Sequence, residues 1–214
     1  MKSVVFCDFD GTITAEETFV GMLKQFAPEV SAEIIPRLYN HQITLRSGVR
    51  TMLESIPSSR YPEILEFSRT KAIRPGLREL INFLQTQAVP FVVVSGGIRA
   101  MVETVLGDLV SQVAGIYAVD IDASQDYWQV HSEFEGGTEL VAKVQVMALY
   151  DADEKIAIGD SVTDLNMALA TPLVFARDRL AKYLDEHQKS YVPWADFFTI
   201  KDYLTYHWGL QPSE

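Results

Sequence analysis

Three short apolar runs stop abruptly on polar residues: VVFC (4–7), FVVV (91–94) and IAI (156–158). Each is short, is rich in β-branched side chains or Ala/Phe and is bounded by turn or polar residues. Such runs predict strands buried on both faces. A fourth run, LVF (173–175), is weaker. Between them lie stripes of helical period: Leu77, Leu80, Ile81 and Leu84, then Met101, Val102, Val105 and Leu106, then Leu140, Val141, Val144 and Met147. Strands alternating with helices restrict the chain to an α/β fold, a doubly wound parallel sheet with helices on both faces.

Residues 14–73 break that alternation, with helix signals and no convincing strand. Phe19, Met22, Leu23 and Phe26 form one apolar stripe. Leu45, Val49, Met52, Leu53 and Ile56 form another, behind an N-cap signal at Thr44. Pro28, Pro36, Pro57 and Pro62 punctuate the segment. A block of about 60 residues is long for a crossover between neighbouring strands. It predicts a helical cap, 14–73, inserted over the strand ends of a core formed by 1–13 and 74–214. Further on, Val119 and Ile121 alternate with Asp120 and Asp122 ahead of YWQV (127–130). That pattern predicts an antiparallel hairpin with a four-residue loop, 123–126.

Composition narrows the class of partner. The 214 residues carry a formal net charge of −11. Such an acidic surface argues against sequence-independent binding of nucleic acid or anionic membranes. Cys7 is the lone cysteine, so no intrachain disulfide is expected. No secretory signal and no bilayer-length apolar run are visible, so the chain reads as soluble and cytoplasmic. Nothing in the pattern indicates an oligomeric state.

The chemistry is expected at the strand ends, because open α/β sheets bind ligands beyond the carboxyl edge. After the first run come Asp8, Asp10 and Thr12; after the second, Ser95, Gly96 and Gly97; after the third, GDSVTD (159–164). Asp8 and Asp10 lie two apart and share a face of an extended chain. Asp160 and Asp164 lie four apart and share a helical face. Carboxylates crowded at a buried edge need a cation. Oxygen ligands without a histidine nearby favour a hard ion, Mg²⁺. Ser95-Gly96-Gly97, expected to open a helix, offers a hydroxyl and unobstructed amides, an anion cradle suited to phosphate. Together these features point to phosphoryl transfer with an aspartate nucleophile.

Other residues carry weaker signals. Lys143 lies in a helical pattern and by pattern alone reads as a solvated lysine. His41, His131, His187 and His207 have no metal-like spacing. Arg37, Arg46, Arg50 and Arg99 are open to either reading, anion binding or solvation.

Asp8-Phe9-Asp10-Gly11-Thr12 resembles the first motif, DxDGT, of the haloacid dehalogenase superfamily of phosphatases. Ser95 resembles its second motif, Lys143 its third, and Gly159-Asp160-Ser161-Val162-Thr163-Asp164 its fourth, GDxxxD. The order and spacing fit over essentially the whole chain. The resemblance implies a Rossmann-like core with an inserted helical cap. It implies that Asp8 is the nucleophile and Asp10 the acid and base. Asp8, Asp160 and the Asp10 carbonyl would hold Mg²⁺, with Asp164 orienting that shell. Thr12, Ser95, Gly96 and Gly97 would meet the phosphoryl group, and Lys143 would offset its charge.

Within the family the resemblance divides. Glu16-Glu17 and Ser95-Gly96-Gly97-Ile98-Arg99 look like the phosphoserine phosphatase branch, which implies Glu17, Arg50 and Arg99 as substrate contacts. Residues 158–164, Phe175-Ala176-Arg177-Asp178-Arg179-Leu180, Pro57-Ser58-Ser59 and Ala195-Asp196-Phe197-Phe198 look closer to the methionine-salvage phosphatase branch.

Two readings of another class stand beside these. A phosphoacceptor receiver module also uses an acidic pocket, Mg²⁺, a hydroxyl and a lysine. Its acceptor aspartate stands alone after a later strand and it has no cap, so the order here argues against it. A non-catalytic relative that only binds a phosphorylated ligand would lack a catalytic group, and all are present here. No GxxxxGK[ST] and no GxGxxG after the first strand appear, which disfavours a P-loop NTPase and a Rossmann dehydrogenase.

Overall fold

The computed structural model describes residues 2–40 and 42–211. His41 therefore lies outside the described residues. One seven-stranded sheet organises the chain, in the order β4-β3-β2-β1-β5-β6-β7. Its strands are β1 (Ser3–Cys7), β2 (Phe91–Ile98), β3 (Gly115–Asp122), β4 (Gln129–His131), β5 (Glu154–Gly159), β6 (Leu173–Ala176) and β7 (Val192–Pro193). All neighbours pair in parallel except the edge strand β4, which is antiparallel to β3. This is the expected doubly wound α/β sheet, with one hairpin at its margin.

The period of two in a strand divides β1 between two apolar layers. Val4 and Phe6 face a layer that contains Met22, Leu23, Met52 and Leu53. Val5 and Cys7 face the opposite layer, with Leu77, Leu80, Leu84, Ile200 and Leu204. Helices α1 (Phe19–Phe26), α2 (Pro28–Tyr39), α3 (Leu45–Glu54) and α4 (Tyr61–Arg69) lie between β1 and the return of the chain at Ile73. Thr44 caps α3 as its sequence predicts, its hydroxyl accepting from the Ser47 amide at 3.1 Å. The block joins the sheet through two antiparallel passes bridged at Thr14 and Ile73. A second seam ties it to the β3–β4 connection: Ser58 N–H donates to Asp126 O at 2.9 Å and Trp128 N–H to Ile56 O at 3.1 Å. Helices α5 (Leu77–Thr86), α6 (Arg99–Leu106), α7 (Lys143–Ala148), α8 (Leu165–Leu169), α9 (Asp178–Glu186) and α10 (Phe197–His207) complete the layers. No helix among the described residues is long and apolar enough to cross a membrane.

Three local expectations are corrected. Ser95, Gly96 and Gly97 do not open a helix; they continue β2, and α6 begins only at Arg99. Pairing with β3 runs through Val94↔Tyr117 and resumes at Ile98↔Val119, with a register irregularity between. Paired strand backbone outcompetes an early helix start there, and the two glycines accommodate the irregularity. The stripe Leu140, Val141, Val144 and Met147 is not one helical face. Ala142 is extended and α7 starts at Lys143, so Leu140 and Val141 are buried by a loop while Val144 is exposed. Finally, the hairpin loop is longer than four residues, because Asp122 pairs with Gln129. Trp128 leaves the ladder to bury itself edge-on against Tyr61.

Candidate active site at the strand ends

β1 and β5 are neighbours, with Cys7 level with Ile158, and the Asp8 amide donates to the Ile158 carbonyl at 2.9 Å. Their ends therefore place Asp8 beside residues 159–164. Asp8, Asp160 and Asp164 each offer a carboxylate oxygen within 4.8 Å of the others, and all three are buried. Lys143 reaches this cluster from the start of α7. Its ammonium lies 2.5 Å from Asp8 Oδ1 and 2.6 Å from Asp164 Oδ1. The solvated-lysine reading is thus overturned: the side chain is 2% exposed. A loop of apolar residues, Leu140 and Val141, carries it inward.

Asp164 is saturated by protein donors. Its Oδ2 accepts from the Asp160 and Ser161 amides, each at 3.0 Å, while Oδ1 takes Lys143. A capping box with Ser161 explains the local turn, which is a short 3₁₀ segment ahead of α8. Asp8 is different: its Oδ2 is buried with no partner. Asp160 Oδ1 accepts from the Thr12 hydroxyl at 3.1 Å. Its other oxygen faces Gly11, whose φ is +83°. Asp10 lies one residue earlier, aimed at the N-terminus of α1. Its Oδ1 accepts from the Thr18 amide and hydroxyl, both at 2.5 Å, and from the Phe19 amide at 3.0 Å.

Electrostatics follow from this crowding. Burial, then the Asp164 charge, hold the Asp8 carboxyl well above the usual carboxylate range, against the pull of Lys143. Burial and Asp164 push Asp160 up to about 7. Burial raises Asp10, opposed by its bonds to Thr18 and Phe19. Burial alone would lower Lys143, but Asp164 and Asp8 together hold its ammonium above the usual lysine range. One ammonium cannot neutralise three buried carboxylates. An orphaned Asp8 oxygen beside Asp160, in an all-oxygen donor set, fits a hard cation.

A family model for haloacid dehalogenase-like hydrolases matches residues 5–169, most of the chain. The chain belongs to the haloacid dehalogenase-like hydrolase family. A Microcystis aeruginosa protein named 2-hydroxy-3-keto-5-methylthiopentenyl-1-phosphate phosphatase is 55% identical over 206 residues, spanning 95% of this chain and 98% of its own. A Bacillus cereus protein of the same name is 32% identical over 212 residues, spanning 95% and 96%. The solved structure described as a substrate-bound phosphoserine phosphatase complex superposes with a TM-score of 0.70 at 18% identity, spanning 95% of this chain and 98% of that one. That likeness is one of fold.

The remaining residues expected in this hydrolase's site fall into two groups. Ser95 is buried, and its hydroxyl oxygen accepts from the Gly97 amide at 3.0 Å. A Cβ on Gly97 would stand 3.3 Å from the Phe19 ring, so this end of β2 lies beside the residue whose amide binds Asp10. A Cβ on Gly96 would meet nothing within 4 Å. The arginines are held elsewhere. Arg99 donates to the Asp120 carboxylate at 2.6 Å and to the Ile116 carbonyl. Arg50 donates to Glu135 at 2.8 Å, to Glu54 and to the Val130 carbonyl. It lines a groove of about 680 Å³ that contains none of Asp8, Asp10, Asp160 and Asp164. Glu17 is exposed, and its charge is felt by Asp10.

Thr18 and Arg74 belong to the site region and are absent from the sequence reading. Thr18 stands directly before the α1 stripe, a cap signal; its role is to donate to Asp10. Arg74 carries no such signal, since burial of an arginine is decided by distant parts of the chain.

Proposed function

We propose that this hydrolase is a Mg²⁺-dependent phosphomonoesterase acting on 2-hydroxy-3-keto-5-methylthiopentenyl 1-phosphate. The observation that carries the substrate is the 55% identity, over nearly the full length of both chains, to a protein of that name. The site geometry supports the chemistry. In this reading Asp8, Asp160 and the Asp10 carbonyl would hold the cation, which would supply Lewis-acid charge stabilisation. Asp164, its oxygens already taken by Lys143 and two amides, orients Asp160 instead of binding metal.

Asp8 is the nucleophile. A carboxylate oxygen of Asp8 forms a bond to phosphorus as the bond from phosphorus to the leaving alcohol oxygen breaks. Asp10 gives its proton to that oxygen. A water then attacks the phosphorus of the aspartyl-phosphate, its proton passes to Asp10, and the bond to Asp8 breaks to release phosphate. A raised Asp10 suits both duties, since it must be protonated for the first step and ionised for the second. Lys143 holds Asp8 in place and offsets phosphoryl charge, with Ser95, Thr12 and the Gly96-Gly97 backbone around the phosphate. Residues 14–73 act as a cap that excludes bulk water from a core of 1–13 and 74–214.

Phosphoserine is the natural competitor as substrate. Arg50 and Arg99, which would hold an amino acid carboxylate, are each paired with carboxylates of the chain itself. Phosphate release should be measured with both esters, with and without Mg²⁺, for wild type and Asp8→Asn. Mg²⁺-dependent release from the keto ester, lost in the variant, is expected. Preferential phosphoserine turnover would overturn the substrate, and no release from any ester would overturn the reaction.

A further inference from the structure

Arg74 is the residue at which the chain re-enters the core from the helical block, and its side chain is buried. The guanidinium turns back under the loop that follows Asp10. Its Nη2 donates to the Gly11 carbonyl at 2.7 Å and its Nε to the Thr12 carbonyl at 2.9 Å. Longer contacts reach the carbonyls of Thr14 at 3.3 Å and Ala15 at 3.5 Å. The Arg74 amide takes the one between, donating to Ile13 O at 2.8 Å. Every carbonyl from residue 11 to residue 15 thus meets Arg74.

The plane of this guanidinium is itself fixed. It lies over the ring of Trp194, 5.4 Å from the centroid, and Arg177 lies 5.3 Å from the same centroid. Lysine could not reproduce this arrangement, because an ammonium presents its donors at one point and does not stack as a flat group.

The loop so held is the one whose backbone geometry the site depends on. Gly11 adopts a left-handed φ against Asp160, Thr12 donates to Asp160, and Asp10 must aim at Thr18 and Phe19. We propose that Arg74 is a positioning residue for the reaction: by binding the carbonyls of residues 11–15 it sets Asp10 and Thr12 relative to Asp8 and Asp160. This rests on the phosphatase reading above. It touches no reacting atom, so its loss lowers turnover and leaves substrate affinity nearly unchanged.

The test compares Arg74→Lys and Arg74→Met with Arg177→Met, which faces the same tryptophan but has no bond to the loop. Steady-state kinetics and amide hydrogen exchange of residues 9–16 are measured on each folded protein. In the Arg74 variants kcat should fall about 10–100-fold with KM within about threefold, the size expected for a small misplacement of reacting groups. Exchange should quicken in residues 11–15, and Arg177→Met should match wild type in both readouts. A folded Arg74→Lys with kcat within about twofold of wild type would overturn the proposal, as would a change confined to KM. So would an equal loss in Arg177→Met. Should the methionine variant not fold, the lysine variant decides. If wild type hydrolyses no ester, the phosphatase reading fails, and unchanged exchange in the loop would then sink the role of Arg74 independently.

Discussion

Gly11 lies so close to the Asp160 carboxylate that a Cβ at position 11 would stand 2.5 Å from Asp160 Oδ2. The same residue has φ +83°, where an L side chain is strained. Gly11→Ala should therefore push Asp160 aside and distort the turn between Asp10 and Thr12. We expect phosphatase activity to fall about 100-fold or more, since displacement of about 1 Å suffices for that. Wild-type turnover in a folded Gly11→Ala protein would show that Asp160 need not stay where it is.

Asp8→Asn should abolish turnover while leaving the metal-free protein at least as thermally stable as wild type. The folded-state Asp8 value lies above the ordinary one, so its ionised form is disfavoured in the native state and costs stability near neutral pH. Asparagine removes that cost wherever Asp8 would be ionised. If Asp8 holds the cation as proposed, Mg²⁺ should raise the Tm of wild type and do so much less in the variant, because the carboxylate charge is gone. Thermal melts with and without Mg²⁺ check both parts; a full Mg²⁺ response in the variant would remove Asp8 from the metal site.

Lys143→Met should destabilise the fold as well as the reaction. It strips Asp8 and Asp164 of their shared cation in a site where all three side chains are buried. Breaking such a buried network costs about 3–5 kcal/mol. Urea unfolding measures this, and a loss under about 1 kcal/mol would mean that water or a cation already compensates the cluster.

A separate pH dependence resides at the opposite end of the sheet. Glu154, at the start of β5, accepts from Ser3 at 2.8 Å and Trp208 at 3.0 Å, and pairs with His207 at 2.8 Å. Burial pushes its carboxyl up, but bonds to His207, Ser3 and Trp208 outweigh burial and leave it below its ordinary value of 4.5. The stabilisation is therefore complete above that ordinary value and is lost as pH falls through the lower folded-state value. Urea midpoints of Glu154→Gln should lie below wild type at neutral pH and converge with it in acid. Parallel curves across that range would refute the contribution.

Much of the candidate site is legible in the sequence because its signals are local. Asp8, Asp10, Asp160 and Asp164 are marked by where apolar strand runs stop, and a strand end is a property of a few consecutive residues. Thr44 as the cap of α3 was legible for the same reason. Ser95 to Gly97 were not assigned correctly, since whether Ser-Gly-Gly extends a strand or opens a helix depends on β3, a pairing partner elsewhere in the chain.

What the amino-acid sequence by itself determined is the alternation of strands and helices, the polar residues at three strand ends, and hence the α/β class and the acidic edge. Periodicity and turn chemistry act over a few residues and need no knowledge of neighbours. Tertiary structure alone decided that Lys143 is buried between Asp8, 135 residues away, and Asp164, 21 away. It alone decided that Arg74 turns under the loop that follows Asp10 and that Arg50 and Arg99 are tied to other carboxylates. A long cationic side chain is compatible with solvent, with an ion pair or with a buried cradle. Which of these it adopts depends on the charges and carbonyls that strand order brings within its reach, and strand order is a non-local property of the fold.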